Sequence, residues 1–280
     1  MKKKLPTIIF ILAFMTGLSL LLYPTVSDYW NSFHQSRAIL DYAAQVADMD
    51  NKNYEQMWRD AEVYNADLPN RSNRFLPTEE EHEQYMRLLN ISGQGIMGYL
   101  EIPAIRCTLP VYHGTDEAVL QIAVGHIEGS SLPVGGLGTH CVLSGHRGLP
   151  SAKLLSNLDK VREGDVFVIR TLDEYLTYEV DQIRIVDPRE LSDLEIVQGK
   201  DYCTLVTCTP YGINTHRLLV RGYRIEDMEE AEAIRVTADA MQIEPLLVAP
   251  IVAIPILLLL LIYMLLPKPK NKYRGDANEK

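Results

Sequence analysis

Two uncharged apolar stretches stand at opposite ends of this chain, and between them they decide where everything else must fold. Residues 5–23 follow Lys2, Lys3 and Lys4, and residues 246–266 precede Lys268, Lys270, Lys272 and Arg274. Each is long enough, as a helix, to cross about 30 Å of hydrocarbon. Both basic flanks lie on the outer side of their stretch, so the positive-inside rule predicts both chain ends in the cytoplasm and residues 24–245 outside. The first stretch also reads as a signal sequence, with Thr25 and Ser27 supplying a mediocre small-residue cleavage pattern. In the second, Pro250 and Pro255 are compatible with a bent membrane helix.

The section between the stretches holds 19 cationic and 35 anionic side chains, a formal net charge of -16. Broad nucleic-acid binding needs a cationic surface and is excluded on that ground. The acidic face is solvated by default, or favours basic protein partners. Cys107, Cys141, Cys203 and Cys208 are too few and too dispersed for a disulfide-stapled fold, and a domain of this length can build its own core.

Residues 24–90 read as a helical extension. Phe33, Leu40, Ala43, Ala47, Tyr54, Met57, Trp58 and Ala61 recur at helical spacing, which predicts an interrupted amphipathic helix over 32–67. Two prolines with Asn70, Ser72 and Asn73 break the pattern over 68–77, and Thr78 with Glu81 forms a capping box for a short helix ending near Leu89. From Gly98 the chain changes to short apolar runs divided by Gly, Pro and Asp: 99–102, 108–112, 120–124, 141–144, 166–169, 177–186, 204–208 and 218–225. Eight such runs predict a mainly β domain over 91–227, closed or nearly closed as an antiparallel-rich barrel. A helical turn is expected at 152–158. A juxtamembrane linker over 228–245 containing a short helix at 231–240, the span at 246–266 and a basic cytoplasmic tail at 267–280 complete the division.

The chemistry sits at strand ends. Cys208 closes the run 204–208, His146 follows the run 142–145, and Arg217 opens the last apolar run. A cysteine becomes a strong nucleophile when a neighbouring cation stabilises its thiolate, and an imidazolium does this while keeping a proton for a leaving amine. A guanidinium can hold a developing oxyanion. Spacing alone leaves the bland reading open, in which the cysteine packs, the histidine caps and the arginine sits in a surface ion pair. Zinc held by Cys203, Cys208, His140 and His146 lacks the paired short spacing of structural sites. Gly135, Gly136 and Gly138 do not form a dinucleotide fingerprint.

Residues 204–212, Thr-Leu-Val-Thr-Cys-Thr-Pro-Tyr-Gly, followed by Asn214-Thr215-His216-Arg217, resemble the nucleophile strand and arginine region of the sortases, and Leu143-Ser144-Gly145-His146-Arg147-Gly148 is similar to their histidine loop. The resemblance covers roughly 98–225 and points to the class C, pilin-polymerising branch. It implies an eight-stranded sortase β-barrel with amino-terminal helices and a lid-like loop, flanked by transmembrane segments. Cys208 is then the nucleophile, His146 the acid/base partner and Arg217 the electrostatic residue. The implied reaction cleaves an LPxTG-like sorting signal between Thr and Gly, carries the acyl group as a thioester, and transfers it to a lysine amine on a pilin. No metal or organic cofactor is required. The implied partners are surface proteins with sorting signals, a pilin acceptor lysine and membrane lipid, and the implied setting is the Gram-positive plasma membrane with the catalytic domain outside. The alternatives are a sortase joining one protein to a cell-wall amine and a noncatalytic peptide-binding membrane protein. Class C enzymes often cover the cleft with an Asp-Pro-aromatic sequence. Here Asn73-Arg74-Phe75 occupies the expected loop at 67–77, which makes Phe75 the aromatic lid candidate.

Overall fold

The computed structural model describes residues 5–71, 73–91 and 93–225. Helix α1 runs Leu5–Ala47 with Pro24 inside it. It breaks before Asp50, which caps α2 (Asn51–Asp67) by accepting from the Asn53 N–H at 2.8 Å. A 3₁₀ turn, Leu68–Asn70, opens the expected loop, and α3 (Glu79–Arg87) starts on the expected capping box: the Thr78 side chain accepts from the Glu81 N–H while Glu81 accepts from the Thr78 N–H. Ala61, Tyr64 and Leu68 are buried three and four residues apart, a stripe along α2 and the turn after it, and α3 buries Tyr85. Asn65 fixes α2 in register by donating to Leu132 O at 3.0 Å and accepting from the Leu132 N–H.

Eight strands follow: β1 (Ile96–Ile102), β2 (Cys107–His113), β3 (Val124–His126), β4 (Thr139–Gly145), β5 (Val166–Thr171), β6 (Glu174–Val186), β7 (Asp201–Thr209) and β8 (His216–Arg224). They close in the order β1-β2-β3-β4-β7-β8-β6-β5. Six neighbouring pairs are antiparallel, whereas β2–β3 and β4–β7 are parallel. The barrel interior holds Leu100, Val111, Leu143, Phe167, Tyr178, Cys203, Leu205 and Val220. Closure removes unpaired sheet edges and leaves one continuous wall from whose outside a cleft can be cut.

Two expectations need correction. The run 120–124 does not form the third strand, because the backbone around it is consumed locally. Helix α4 (Glu117–Leu120) closes with Gln121 N–H donating to Glu117 O and Ala123 N–H to Val119 O, and the ladder begins only at Val124. The flanking pair of membrane segments with a cytoplasmic carboxy terminus is also corrected. Among the described residues one helix is long and apolar enough to cross a membrane, Ile8–Ala47, with a most apolar window of mean hydropathy 2.0. Among the described residues that helix is a single crossing near the amino terminus, with no second one to return the chain. The stretch 246–266 on which the return rested, with the linker and tail around it, lies outside the described residues.

Candidate active site

Alternation along β4, β7 and β8 builds the site. On β7, Cys203 and Leu205 point into the barrel core, so Thr204, Val206 and Cys208 face outward. The parallel β4–β7 register pairs Val142 with Thr204 and Ser144 with Val206, and the antiparallel β7–β8 register pairs Thr204 with Arg221, Val206 with Leu219 and Cys208 with Arg217. The outer wall therefore carries rows of residues running across three strands. Continuing the β4 register by two residues sets His146 beside Cys208, and the row His146, Cys208, Arg217 spans about 10 Å between Cα atoms at ordinary strand spacing. Two contacts show that the alignment persists past the last paired residues: the Thr207 hydroxyl donates to Gly145 O at 2.8 Å, and Arg147 Nη1 donates to Thr209 Oγ1 at 3.4 Å.

All three candidates are half-buried, at the rim where strands give way to loops. His146 Nε2 lies 3.6 Å from Oε2 of Glu117 on α4. The Glu117 carboxyl is held below its usual range, first by the Gln121 amide and then by His146. Arg217 Nη1 donates to His216 O at 3.1 Å and to Asn214 O at 3.3 Å, which folds its guanidinium onto the β7–β8 connection. His216 pairs with Thr209 and is exposed, on the other face from Arg217, as alternation predicts.

The floor beside this row is apolar. Val142, Val186, Leu194, Val206 and Leu219 form a second buried cluster on the outside of the barrel, and Phe75 and Ile127 pack against it. Phe75 therefore covers part of the outer wall to which Val206 and Leu219 belong. Arg74, which was not singled out from the sequence, anchors it. Its guanidinium donates to Gly129 O at 3.0 Å and Leu194 O at 2.8 Å, meets Glu195 Oε2 at 3.3 Å, and lies 4.3 Å from the Phe75 ring centroid. Burial lowers the basicity of Arg74, opposed by Glu195. Gly129, at φ +88°, must be glycine, because a Cβ there would stand 1.9 Å from Arg74 O. His140 secures the same β6–β7 loop from below. Its Nδ1–H donates to Glu195 O at 2.8 Å, leaving Nε2 to accept from the Thr204 hydroxyl at 2.8 Å.

The remaining cysteines lie elsewhere. Cys141 and Cys203 are direct partners inside the barrel, and burial pushes the Cys203 thiol well above its ordinary value. Cys107 donates weakly to Leu154 O, and enclosure pushes its thiol up to about 12. Cys203 and Cys208 face opposite sides of the sheet, so the four residues weighed as zinc ligands do not converge.

The sequence model for the Sortase domain family matches residues 100–225. Among curated proteins, Sortase D of Bacillus subtilis (strain 168) is 33% identical over 133 residues, 46% of this chain and 63% of that protein. Sortase A of Streptococcus agalactiae serotype III is 27% identical, with 47% of its length matched, so the chain spans roughly half to two thirds of these curated relatives. Among solved structures, sortase C1 of Streptococcus agalactiae is 52% identical with a TM-score of 0.66, covering 68% of this chain and 99% of that one. Sortase C of Streptococcus pneumoniae, described in terms of catalysis and pilin substrate specificity, is 45% identical with a TM-score of 0.61, covering 68% and 97%.

Proposed function

The chain belongs to the sortase family of cysteine transpeptidases, most similar in kind to its class C branch, and on that premise we propose that it polymerises pilins. The Cys208 thiolate attacks the Thr carbonyl of an LPxTG-like signal. Arg217 holds the oxyanion, His146 protonates the departing Gly amine, and the Thr acyl group stays on sulfur as a thioester. A lysine amine from another pilin, losing its proton to His146, then displaces the thiol. The new bond is an isopeptide, and Cys208 leaves as it began. This order needs no net redox change and uses imidazole first as acid, then as base.

The observation that supports the reading is the Cys208–Arg217 pair across β7 and β8, with His146 reached by continuing the β4–β7 register two residues past Ser144 and Val206. Residues 91–227 are the catalytic domain in this reading and 24–90 its helical extension. Phe75 acts as the lid, with Arg74 doing the anchoring that an Asp-Pro pair does not do here. The test incubates the full chain in detergent with a sorting-signal protein and two acceptors, a pilin subunit and a cell-wall precursor amine, and maps the product by peptide mass. An isopeptide at a pilin lysine is expected. Joining to the wall amine alone would replace the polymerase with the wall-anchoring alternative.

A further inference from the structure

The β4–β7 ladder ends at Ser144 and Val206, two residues short of the pair whose chemistry depends on it. What continues the alignment is side-chain work, and the largest share falls on Arg147. Its side chain is 10% exposed, although it sits in a turn. Nη2 donates to Asp159 Oδ2 at 2.6 Å, Nη1 reaches Thr209 Oγ1, and the guanidinium stands 5.9 Å from the Tyr211 ring centroid. The next residue, Gly148, lies so close to the same ring that a Cβ would be 2.7 Å from it, and its N–H donates to Ser156 Oγ at 2.9 Å. Arg147 Nε is enclosed without a partner. Removing a guanidinium from water to this extent is costly, and a planar fork is the one cationic group that can meet Asp159, Thr209 and an aromatic face together.

We propose that Arg147 is a positioning residue for acyl transfer, locking the turn that carries His146 to the residue that follows Cys208. It acts through its neighbours and touches no substrate. The proposal rests on the reading that Cys208 and His146 work as a pair. A misplacement of about 1 Å between such groups can cost on the order of a hundredfold in rate.

The test uses the full chain in detergent and two readouts: steady-state transfer, and the pH dependence of Cys208 alkylation by iodoacetamide, assigned by peptide mapping. Arg147→Ala is expected to lower kcat about tenfold or more with KM within about twofold, and to change the Cys208 alkylation profile from that of the parent. Arg147→Lys keeps the charge without the fork and should recover less than half of the loss. Thr209→Val withdraws only the strand contact and should shift both readouts the same way by about threefold, which keeps the test decisive should Arg147→Ala not fold. Unchanged alkylation profiles in Arg147→Lys and Thr209→Val would overturn the proposal, whatever happened to thermal stability. Failure of the underlying reading looks different: Cys208→Ala would retain turnover.

Discussion

Strand β7 carries two cysteines five residues apart, and the pleat sends them to opposite sides of one barrel wall. Cys203 is fully buried against Cys141, where apolar surroundings disfavour its thiolate. Cys208 is half-buried at the strand end, paired with Arg217 on β8 and two residues beyond the last β4–β7 pair. Residue type and strand are the same, so position on the pleat is what separates a packing group from a candidate nucleophile. The sharpest way to break this comparison is to remove each sulfur. Cys208→Ala is expected to cut transfer about ten-thousandfold with the melting temperature nearly unchanged. Cys203→Ala should leave transfer within about twofold while costing about 1–2 kcal/mol of stability. Turnover assays and denaturant melts on both variants measure the contrast, and a reversal would defeat it.

The same division holds for the neighbouring apolar side chains. Leu205 faces the main core and Val206 the outer cluster beneath Phe75. Leu205→Ala should destabilise by about 2–5 kcal/mol. Val206→Ala should cost roughly 1–2 kcal/mol and raise KM for the sorting peptide, because it hollows the cleft floor. Equal stability losses with no change in KM would mean that the outer cluster is only a second core.

A third contrast concerns acid. Burial depresses the pKa of His140 to about 4 and lowers that of His113. In the unfolded chain both titrate near 6.5. Above that value neither state binds the proton and stability is complete. As pH falls below it the unfolded chain protonates first, and stability is lost at up to about 1.4 kcal/mol per pH unit for each histidine. For His140 the loss levels off below about pH 4. Denaturant melts from pH 7.5 to 4 should show this slope, and His140→Gln should flatten it. Because His140 ties the β6–β7 loop to β7, the cleft should loosen before the barrel does, visible as earlier hydrogen exchange at Leu194 and Glu195.

The sequence revealed the barrel and the capping box that starts α3, and it singled out Cys208 and Arg217, which the β7–β8 register pairs, along with His146. Short apolar runs between turn residues announce strands, and the capping box announces a helix start, because both signals are local. The parallel β4–β7 pairing was not legible, since nothing near either strand encodes a partner 62 positions away. The lid's anchor escaped for a related reason: Arg74 reaches Gly129 and Leu194, contacts that only the closed barrel creates. One unused signal did exist. Cys141-Val142-Leu143 and Leu218-Leu219-Val220 are apolar at consecutive positions, which marks strands covered on both faces and therefore a cover outside the barrel. The misplaced third strand has the opposite origin, an apolar run whose backbone bonds are spent within one helical turn.

The smallest expected effect bears on that cover. Phe75 packs against the outer cluster that includes Val206 and Leu219, each two residues along its strand from Cys208 or Arg217, and it is held by Arg74 with no contribution from an Asp-Pro pair. A half-buried aromatic packed on such a floor contributes about 1 kcal/mol beyond what a truncated side chain retains. Phe75→Ala should therefore open the cleft enough to raise the Cys208 alkylation rate by roughly threefold to tenfold. Arg74→Ala should do the same by freeing the ring's anchor, with a further small loss of stability from the β6–β7 loop. If both variants alkylate Cys208 at the parental rate, the loop merely connects two helices, and the outer cluster is covered without being gated.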